Sequence, residues 1–451
     1  MIGRRILGHM VAWPCLAFVP LALTVSACGG AAQTTQAPSA GNVAATPSSP
    51  AAGAAAATAA STLPPPTAAA DAKPEAKITP PNSEGNPFAG AQIYIDPHYV
   101  AKIEATIKAE SKAEGAAKTD AVDVASLKKA EAFSTAIWLS SIKDTASISK
   151  TLDDAAAQKK KSGQPVVTTF VVYDLPERDC AAVASNGQLT LANGGEKRYQ
   201  KEFIDKIAAS FKSHSQERIA VVLEPDSLAN VATNLTIAKC AAAQDVYKHS
   251  IAYAIKQLAL PNVTIYLDAA HAGWLGWSGN RDKIAALYAD VLKEAGGVDR
   301  IRGFATNVSN YDSLENGDLA KLEPSDPAKG ELDYVKLLDQ SLSEVGIVGK
   351  AFVIDTGRNG RAGIKTKSGS WCNIKGAGLG ERPQANPAPL VDAYLWIKPP
   401  GESDGGGDPK KPGFDEKCGP DAPDAAKGAP RAGDWFGSYF VDLVKNANPP
   451  L

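Results

Sequence analysis

Residues 218–226, Arg-Ile-Ala-Val-Val-Leu-Glu-Pro-Asp, contain the pattern that decides the fold. Five consecutive apolar residues end at Leu223, and two acidic residues, Glu224 and Asp226, follow almost directly. A short apolar run rich in β-branched residues is typical of a buried strand, and a polar end is typical of a loop that carries function. The pattern recurs along the chain in candidate strands that end at Trp138, Tyr173, Leu223, Leu267, Thr306, Asp355 and Lys398.

Amphipathic helical stretches separate these strands. They span residues 144–161, 197–212, 241–258, 281–295 and 331–344. Strands that alternate with helices form βαβ units around a parallel sheet. Seven such units in one domain predict an α/β fold, a roughly seven-stranded parallel α/β barrel similar to a TIM barrel, with an open doubly wound sheet as the alternative.

The overall composition excludes several classes of protein. The chain has 451 residues, with 47 Lys and Arg against 49 Asp and Glu, a formal net charge of −2. This balance provides no general attraction to nucleic acid, so we expect no nucleic-acid partner. No GxGxxG sequence opens a predicted helix and no Walker-type loop occurs, so we expect no cofactor.

The N-terminus has the form of an export signal. Two arginines precede an uncharged, mostly apolar run over residues 11–27, which is short of the roughly 20 residues of a spanning helix. The run ends at Val25-Ser-Ala-Cys28, which resembles the bacterial lipobox, so residues 1–27 are predicted to be a lipoprotein signal peptide and Cys28 the acylated residue. An ordinary cleaved signal and an uncleaved anchor are the alternatives. We expect an exported protein, either a cell-surface lipoprotein that contacts the membrane only through Cys28 or a secreted protein.

A low-complexity segment follows. Alanine and proline make up 27 of the 50 residues 31–80, and no Phe, Trp or Tyr occurs there. Such a segment cannot bury enough apolar surface to offset the entropy lost on ordering it. We therefore expect residues 28–84 to form a disordered tether and residues 85–451 to form one folded domain.

Polar side chains follow six of the seven candidate strands. They are Asp174, Glu177, Asp179, Glu224, Asp226, Asp268, His271, Asn307, Asn310, Asp355, Arg358, Lys398, Glu402 and Asp404. Because the C-terminal ends of parallel strands share one face of a barrel, we expect these groups to meet at one mouth. A single aspartate after a strand is more often a helix cap or turn residue. Several carboxylates together, with no Cys/His metal spacing and no nucleophile elbow, favour acid–base hydrolysis of a glycoside without a metal.

Longer motifs carry a family resemblance. They are Tyr173-Asp-Leu-Pro-Glu-Arg-Asp179-Cys180, Ser185-Asn-Gly187, Glu224-Pro-Asp226-Ser-Leu-Ala-Asn230, Tyr266-Leu-Asp268-Ala-Ala-His271-Ala-Gly-Trp274-Leu-Gly-Trp277, Trp371-Cys372 and Lys398-Pro-Pro-Gly-Glu402-Ser-Asp404-Gly405. In this order they resemble glycoside hydrolase family 6, the cellobiohydrolases and endoglucanases that cut β-1,4-glucan with inversion, across about residues 85–451. The resemblance implies a distorted α/β barrel with its site at the C-terminal ends of the strands. It also implies β-1,4-glucan chains or cello-oligosaccharides as the binding partner.

The resemblance implies three catalytic carboxylates. Asp226 matches the general acid, which has to be protonated to donate to the leaving oxygen. Asp179 matches the neighbouring carboxylate, which raises the pKa of that acid and supports the developing positive charge. Asp404 matches the proposed base, which acts on water through a relay.

Further positions match residues that bind the glucan. They are Tyr173, Ser185, Trp138, Asp268, His271, Trp274, Trp277, Asn310, Trp371, Lys398 and Glu402. Tyr173 and Ser185 match positions that distort the sugar at the cleavage point and help to place water, and Asp268 is interpreted as substrate-binding or structural rather than catalytic. The resemblance places Trp138 and Trp371 on the non-reducing side of the cleavage point. It places Trp274 and Trp277 on the other side, whereas Trp396 and Trp435 are expected to pack in the core, in a strand and a helix respectively.

The six cysteines divide into two groups. Cys15 lies in the predicted signal and Cys28 in the lipobox, which leaves four cysteines with three possible pairings. A zinc site with four cysteines is the alternative, but no CxxC pair occurs. The resemblance selects the disulfides Cys180–Cys240 and Cys372–Cys418, and an exported protein permits them.

Two long segments bear on the mode of attack. They are residues 404–418 and 311–333, and in the family's cellobiohydrolases loops at these positions roof the site into a tunnel. Their length favours an exo-acting enzyme of the cellobiohydrolase type, which we expect to be a monomer. The alternatives are an endo-β-1,4-glucanase and a surface lipoprotein that only binds glycan.

Overall fold

The computed structural model describes residues 85–113 and 124–451. The predicted signal peptide, Cys28 and the predicted tether lie outside these residues. Within the described ranges, no helix is long and apolar enough to cross a membrane.

One mixed sheet forms the centre of the described structure. Its strands are β1 (Gln92–Ile93), β2 (Ile137–Leu139), β3 (Val166–Val172), β4 (Arg218–Leu223), β5 (Val263–Asp268), β6 (Gly303–Thr306), β7 (Ala351–Asp355), β8 (Gln384–Ala388) and β9 (Val391–Leu395). They pair in the order β1-β3-β4-β5-β6-β7-β9-β8, and β2 also pairs with β3. Every pairing is parallel except that of β8 with β9. Because β1 pairs with the start of β3 and β2 with its end, the two short strands share one position beside β3.

The sheet curls into a half-barrel. Among the described residues, no strand pairing joins β1 or β2 to β8 or β9. Near one end the gap is bridged by hydrogen bonds from the N–H of Ala136 to the carbonyl of Trp396 and from the indole of Trp138 to the carbonyl of Ile397. With β1 and β2 sharing one position, the parallel strands occupy seven positions around the half-barrel. This arrangement confirms the predicted distorted α/β barrel. The antiparallel strand β8 was not predicted.

Helices pack around this sheet. They are α1 (Pro97–Ala113), α2 (Val124–Lys129), α3 (Ile148–Ser162), α4 (Gly195–Arg198), α5 (Asp205–Ser213), α6 (Ser227–Thr233), α7 (Ala238–Leu258), α8 (Ala272–Leu275), α9 (Ser278–Ala295), α10 (Asp318–Leu322), α11 (Glu331–Glu344) and α12 (Gly437–Lys445). A π-helical turn, Tyr199–Ile204, precedes α5. The five predicted helical stretches correspond to α3, the π-turn with α5, α7, α9 and α11.

The central strands are buried on both faces, which explains their nearly continuous apolar sequences. In β4, Val221 and Leu223 belong to the helix-covered core, while Ala220 and Val222 belong to the cluster that fills the half-barrel. Alternate residues of a strand point to opposite faces, so one apolar run supplies both layers. The polar residues after each strand are left at the rim.

Two local expectations differ from the structure. The strand expected to reach Lys398 ends at Leu395. Trp435 lies before α12 rather than inside a helix. Its indole ring packs against the turn at Gly401. It still packs against the core cluster that contains the buried Trp396, as expected for a core residue.

Candidate active site

A cavity of about 530 Å³ opens at the C-terminal ends of the strands. The predicted catalytic and substrate-binding residues that line it are Trp138, Tyr173, Asp179, Ser185, Asp226, His271, Trp274, Asn310, Trp371, Lys398, Glu402 and Asp404. These residues are far apart in the chain and follow different strands. The parallel sheet therefore brings them together at one mouth, as its topology requires.

Two of the predicted substrate-binding residues do not line this cavity. Trp277 is half-buried outside it, with its indole nitrogen 3.4 Å from the hydroxyl oxygen of Ser325. Asp268 is buried at the end of β5, where its Oδ2 accepts hydrogen bonds from the N–H groups of Asp226 (3.0 Å) and Ala270 (3.1 Å). Of the two interpretations of Asp268, this placement favours the structural one.

Asp226 has an unusual backbone conformation between β4 and α6. Its φ of +62° lies in the left-handed region, which costs a residue with a side chain about 1–3 kcal/mol. The surroundings hold it there, because its N–H is bonded to Asp268 and its carbonyl accepts a bond from the Asn230 amide at 2.6 Å. The carboxyl group faces the cavity and makes no hydrogen bond within the described part of the chain.

The environment of Asp226 favours its protonated form. Burial raises the pKa of its carboxyl well above the ordinary value, and the nearby charges of Asp268, Asp179 and Asp404 raise it further. Burial also raises the pKa of Asp268. Two buried carboxyl groups this close resist being ionised together, so the pair keeps a proton at a pH where an exposed aspartate has lost it.

Asp179 is oriented by a tyrosine. The Tyr173 hydroxyl donates to Oδ2 of Asp179 at 2.5 Å, and both residues line the cavity. Asp179 also has a positive φ of +51°. The adjacent disulfide Cys180–Cys240, which the resemblance implied, is present and ties this loop to α7.

Arg178 braces the loops on this side of the cavity. Its guanidinium lies 4.2 Å from the centre of the Tyr173 ring, and it donates to the carbonyls of Ser185 (2.8 Å) and Ser140 (2.9 Å). A planar guanidinium can reach several acceptors at once. In the sequence, Arg178 is noticed only as part of a motif. Its acceptors are main-chain carbonyl groups, which every residue has, so the sequence does not reveal these contacts.

A second buried acidic pair lies beneath this loop. Oε1 of Glu224 accepts a bond from the Tyr199 hydroxyl at 2.8 Å, and its two oxygens accept the N–H groups of Asp174 and Leu175 at 3.3 Å each. Burial raises the pKa of Glu224 to about 8 and that of Asp174 to about 6. The two groups support the start of the loop and do not line the cavity.

Asp404 is held by three donors. Arg358 donates to its Oδ1 at 2.7 Å, while the Tyr311 hydroxyl (2.7 Å) and the Asn373 N–H (2.8 Å) donate to Oδ2. The second implied disulfide, Cys372–Cys418, is also present beside this group. Tyr311 and Asn373 are absent from the predicted site. In the sequence, only their neighbours point to them, because Tyr311 follows Asn310 and Asn373 follows Cys372.

The turn after β9 places Lys398 and Glu402 on the cavity wall. The Lys398 ammonium lies 5.3 Å from the centre of the Trp138 ring and donates to the Ser403 carbonyl at 3.3 Å. Burial lowers the pKa of Lys398. Glu402 forms an ion pair with Lys102 of α1 at 2.7 Å, so this helix helps to position the wall.

Three residues at the edge of the cavity have the spacing of a metal site. They are His271, Asp312 and Glu331, whose possible ligand atoms lie within 4.8 Å of one another. However, Lys365 already donates to Oδ1 of Asp312 at 2.7 Å, and Nδ1 of His271 lies 2.6 Å from Oδ2. Burial by itself would raise the pKa of Asp312, but Lys365 and His271 hold it below its ordinary value. Since an ammonium group already neutralises Asp312, these residues fit an ion-pair network better than a metal centre.

The chemistry of the cavity defines a class of enzyme. A carboxyl group that favours its protonated form lies with further carboxylates in one cavity, which the indoles of Trp138, Trp274 and Trp371 also line. Flat aromatic faces suit the stacking of sugar rings, and a pair of carboxyl groups is the usual machinery for cleaving a glycosidic bond. The fold and the site are those of a glycoside hydrolase.

Comparison with known families makes this specific. The chain belongs to glycosyl hydrolases family 6. The sequence model of this family matches residues 88–447. The family resemblance carried by the motifs is therefore confirmed.

The relatives include curated proteins and solved structures. The chain is 40% identical over 368 residues to Exoglucanase 3 of Agaricus bisporus, which covers 81% of this chain and 80% of the relative. It is 42% identical over 366 residues to a putative endoglucanase type B of Fusarium oxysporum, which covers 81% and 77%. Cellobiohydrolase II from Humicola insolens, solved in complex with glucose and cellotetraose, is 37% identical with a TM-score of 0.75 and covers 81% of this chain and 100% of that one.

Proposed function

We propose that this protein hydrolyses β-1,4-glucosidic bonds in cellulose or cello-oligosaccharides with inversion at the anomeric carbon. The observation that carries the proposal is the Asp226 carboxyl group, which faces the cavity, has no hydrogen-bond partner in the described chain and favours its protonated form. Such a group can donate a proton to the glycosidic oxygen. The names of the relatives, an exoglucanase and a cellobiohydrolase in complex with glucose and cellotetraose, support β-glucan as the substrate class.

Asp226 is the general acid in this proposal. It gives its proton to the leaving oxygen as the C–O bond breaks and the electron pair moves to that oxygen. Asp179 then stabilises the positive charge that develops on the ring, and the Tyr173 hydroxyl keeps its carboxylate oriented. Tyr173 also lines the cavity, where its ring can press the sugar at the cleavage point out of its relaxed shape.

Asp404 is the base and acts through a relay. Tyr311 and Asn373 donate to Oδ2 and Arg358 donates to Oδ1. Oδ1 therefore keeps a lone pair that can take a proton, which the attacking water passes to it through a second water. Ser185 lines the cavity on another loop, and its hydroxyl can hold the attacking water. Inversion requires this water on the sugar face opposite the acid.

The remaining lining residues bind the chain on both sides of the cleavage point. Trp138 and Trp371 stack on sugars at the non-reducing side, and Trp274 stacks at the other side. The polar residues that supply hydrogen bonds to sugar hydroxyls are His271, Asn310, Lys398 and Glu402.

We infer exo action from the way in which the long segments brace the cavity wall. Loops at residues 181–186, 369–371 and 432–433 contribute to this wall. Asp415, in the long segment 404–418, accepts the N–H groups of Val183 (3.0 Å) and Ala184 (3.3 Å). Asp318, in the long segment 311–333, accepts those of Ile364 (3.3 Å) and Lys365 (3.2 Å). The long segments thus support the loops of the cavity wall, although of their own residues only Asp404 lines the cavity. This support favours a chain end as substrate, while the name of the Fusarium relative favours endo action.

Hydrolysis of cello-oligosaccharides tests the proposal. The purified protein should cleave cellohexaose, with the α-anomer appearing first by NMR, and Asp226→Ala should bind the sugar without cleaving it. A wild type that binds but does not cleave would leave only the glycan-binding alternative, and initial β-anomer would overturn inversion. Slow loss of viscosity relative to the release of reducing sugar from a soluble cellulose derivative is expected for exo action, and fast loss for endo action.

We also infer that the protein is an exported monomer held at a membrane by a lipid on Cys28. Two disulfides fit an oxidising compartment, and Val25-Ser-Ala-Cys28 resembles the motif that is acylated in bacterial lipoproteins. A labelled fatty acid supplied to the producing cells should mark the wild type and not Cys28→Ser. Label on both proteins, or on neither, would overturn the anchor, and light scattering during size exclusion checks the monomer.

A further inference from the structure

We propose that the face of the domain opposite the active site is a docking surface for an anionic phospholipid membrane. This basal face consists of the helix ends and loops that lead into the strands, at residues 85–91, 159–165, 211–218, 259–262, 293–302, 343–350 and 389–391. The proposal rests on the lipid anchor inferred above and adds which side of the domain meets the lipid.

The basal face is basic in a domain that is otherwise acidic. Its segments contain nine Lys and Arg against four Asp and Glu, a net charge of +5. The rest of residues 85–451 has 34 Lys and Arg against 42 Asp and Glu, a net charge of −8. Lysines in last helical turns also complement the helix dipole, but Arg218 and Arg300 lie outside the α-helices. The charge asymmetry matches a negatively charged lipid surface.

Several of these cations are available to a ligand. Lys160, Lys161, Lys212 and Arg300 are exposed and form no ion pair with any described residue. A cleft of about 400 Å³ on the same face is lined by Lys159, Lys160 and Arg218, among others. The Nε of Arg218 is buried without a hydrogen-bond partner in the described chain. Lys159 is paired with Glu217 at 3.1 Å, so Lys160 and the Arg218 guanidinium supply the uncompensated positive charge that would attract the phosphate of a lipid headgroup to this cleft.

The basal face also exposes apolar side chains. Val345 is 38% exposed and Val348 62% exposed in the loop before β7, and Leu390 is 39% exposed in the turn before β9. A face that carries both basic groups and exposed apolar side chains suits the interface of a bilayer, where the charges meet headgroups and the apolar groups enter the acyl boundary.

The chain enters the domain at this same face. The Asn86 amide donates to the carbonyl of Asp392 at 2.6 Å, near the start of β9, and the carbonyl of Pro87 accepts a bond from Arg218 at 2.9 Å. An anchor at Cys28 is therefore joined to the domain through its basal face, whereas the cavity opens at the other end of the strands. Docking of the basal face would direct the mouth away from the membrane, toward glucan outside the cell.

Sedimentation with vesicles tests the proposal. We would use the chain from residue 28 with Cys28→Ser, so that no acyl chain contributes. It should bind vesicles of mixed phosphatidylcholine and phosphatidylglycerol at low salt, bind pure phosphatidylcholine far less, and dissociate at high salt. The combined variant K160E, K161E, K212E and R300E should bind at least about tenfold more weakly, since each charge near the surface contributes about fivefold.

A matched variant at the other end of the domain provides the control. K410E, K411E, K417E and K427E change the net charge equally on exposed residues after β9, and this variant should keep the binding. Both variants should hydrolyse cellohexaose as the parent does, because none of the substituted side chains lines the cavity. Equal binding to neutral and anionic vesicles, or equal loss in both variants, would overturn the docking surface. Because this assay contains no acyl group, its failure is distinct from a failure of fatty-acid labelling or of hydrolysis.

Discussion

The main-chain N–H of Asp226 donates to Oδ2 of Asp268 at 3.0 Å, between the C-terminal ends of β4 and β5. The bond holds the backbone of the proposed acid and brings a second carboxyl group close to its side chain. Oδ1 of Asp268 has no hydrogen-bond partner within the described chain, so its charge is only partly compensated. Asp268 therefore both positions Asp226 and raises its affinity for a proton.

Replacing Asp268 with Asn should move the alkaline limb of the kcat/KM profile to lower pH. The amide oxygen can still accept the Asp226 N–H. Burial and the charges of Asp179 and Asp404 continue to raise the pKa of Asp226, but the contribution of the Asp268 charge is removed. Because the acid works only when protonated, activity falls as the pH rises through its pKa, and a lower pKa brings the fall to lower pH by on the order of one unit. Initial rates on cellohexaose across the pH range measure this. A reduced kcat with the limb unmoved would contradict the pKa role.

Replacing Asp226 with Asn should remove most of the hydrolysis of cello-oligosaccharides. Loss of a general acid costs about 10²–10⁴-fold in rate. A cellobioside with a dinitrophenyl leaving group needs little protonation, so the same variant should retain far more activity on it. An equal loss on both substrates would argue against Asp226 as the acid.

Glu224 should make the stability of the fold depend on pH. Burial raises its pKa to about 8, against about 4.3 in an unfolded chain. The folded state therefore binds more protons between these values, so the stabilising contribution is complete below about pH 4 and is lost as the pH rises toward 8, with a slope of up to about 1.4 kcal/mol per pH unit. Glu224→Gln should reduce the measured slope, whatever its overall stability, and leave the part that comes from Asp174, Asp226 and Asp268. Denaturant unfolding at several values of pH measures it, and identical slopes for the two proteins would refute the assignment.

Asp415 should couple two loops of the active site. Asp415→Ala removes the acceptor of the Val183 and Ala184 N–H groups, next to Ser185. Loss of bonds to a charged acceptor should lower kcat/KM about tenfold or more and increase internal cleavage in the viscosity assay. Asp408→Ala is the control, because Asp408 lies on the same segment and its carboxylate forms hydrogen bonds or ion pairs, among the described residues, only with Lys410 and Lys411. Equal effects of the two variants would point to general loosening of the segment.

The two neighbouring tryptophans should differ in their effect on substrate binding. Trp274 lines the cavity and donates to the Thr233 hydroxyl at 2.9 Å, whereas Trp277 lies outside it. Trp274→Ala should raise KM for cellohexaose about tenfold, since a lost stacking contact costs about 1 kcal/mol beyond the buried area. Trp277→Ala should change it little. A larger increase in KM for Trp277→Ala than for Trp274→Ala would show that the bound glucan extends beyond this cavity.

Much of the fold could be predicted from the chain because its determinants are local. The run that ends at Leu223 is apolar on both faces, as a strand packed between helices and a filled half-barrel requires. The helices α7, α9 and α11 show their own periodicity and fall within a few residues of the predicted stretches. In contrast, β8 is absent from the prediction, since its Gln-Ala-Asn-Pro-Ala sequence has little strand propensity and is held by pairing with β9.

The chemical residues were partly predictable for the same reason. An acid directly after a parallel strand has to lie at the mouth, whatever the details of packing. Its partners could not be found in this way. Arg178 binds carbonyl groups of its own loop and of the loop after β2, and Tyr311 and Asn373 reach Asp404 from positions 93 and 31 residues away. Such partners depend on the conformation of loops, which no residue pattern encodes.

By itself, the sequence determined the α/β architecture, the set of carboxylates and aromatic rings at the strand ends, and the family. Only the tertiary structure decided how these groups are used: it placed Asp268 against the backbone of Asp226, left Trp277 outside the cavity, and gave Asp404 three donors. The physical reason is that strand and helix formation follow from short-range patterns. Proton affinity and substrate access, by comparison, depend on burial and on distances between groups that are remote in the chain.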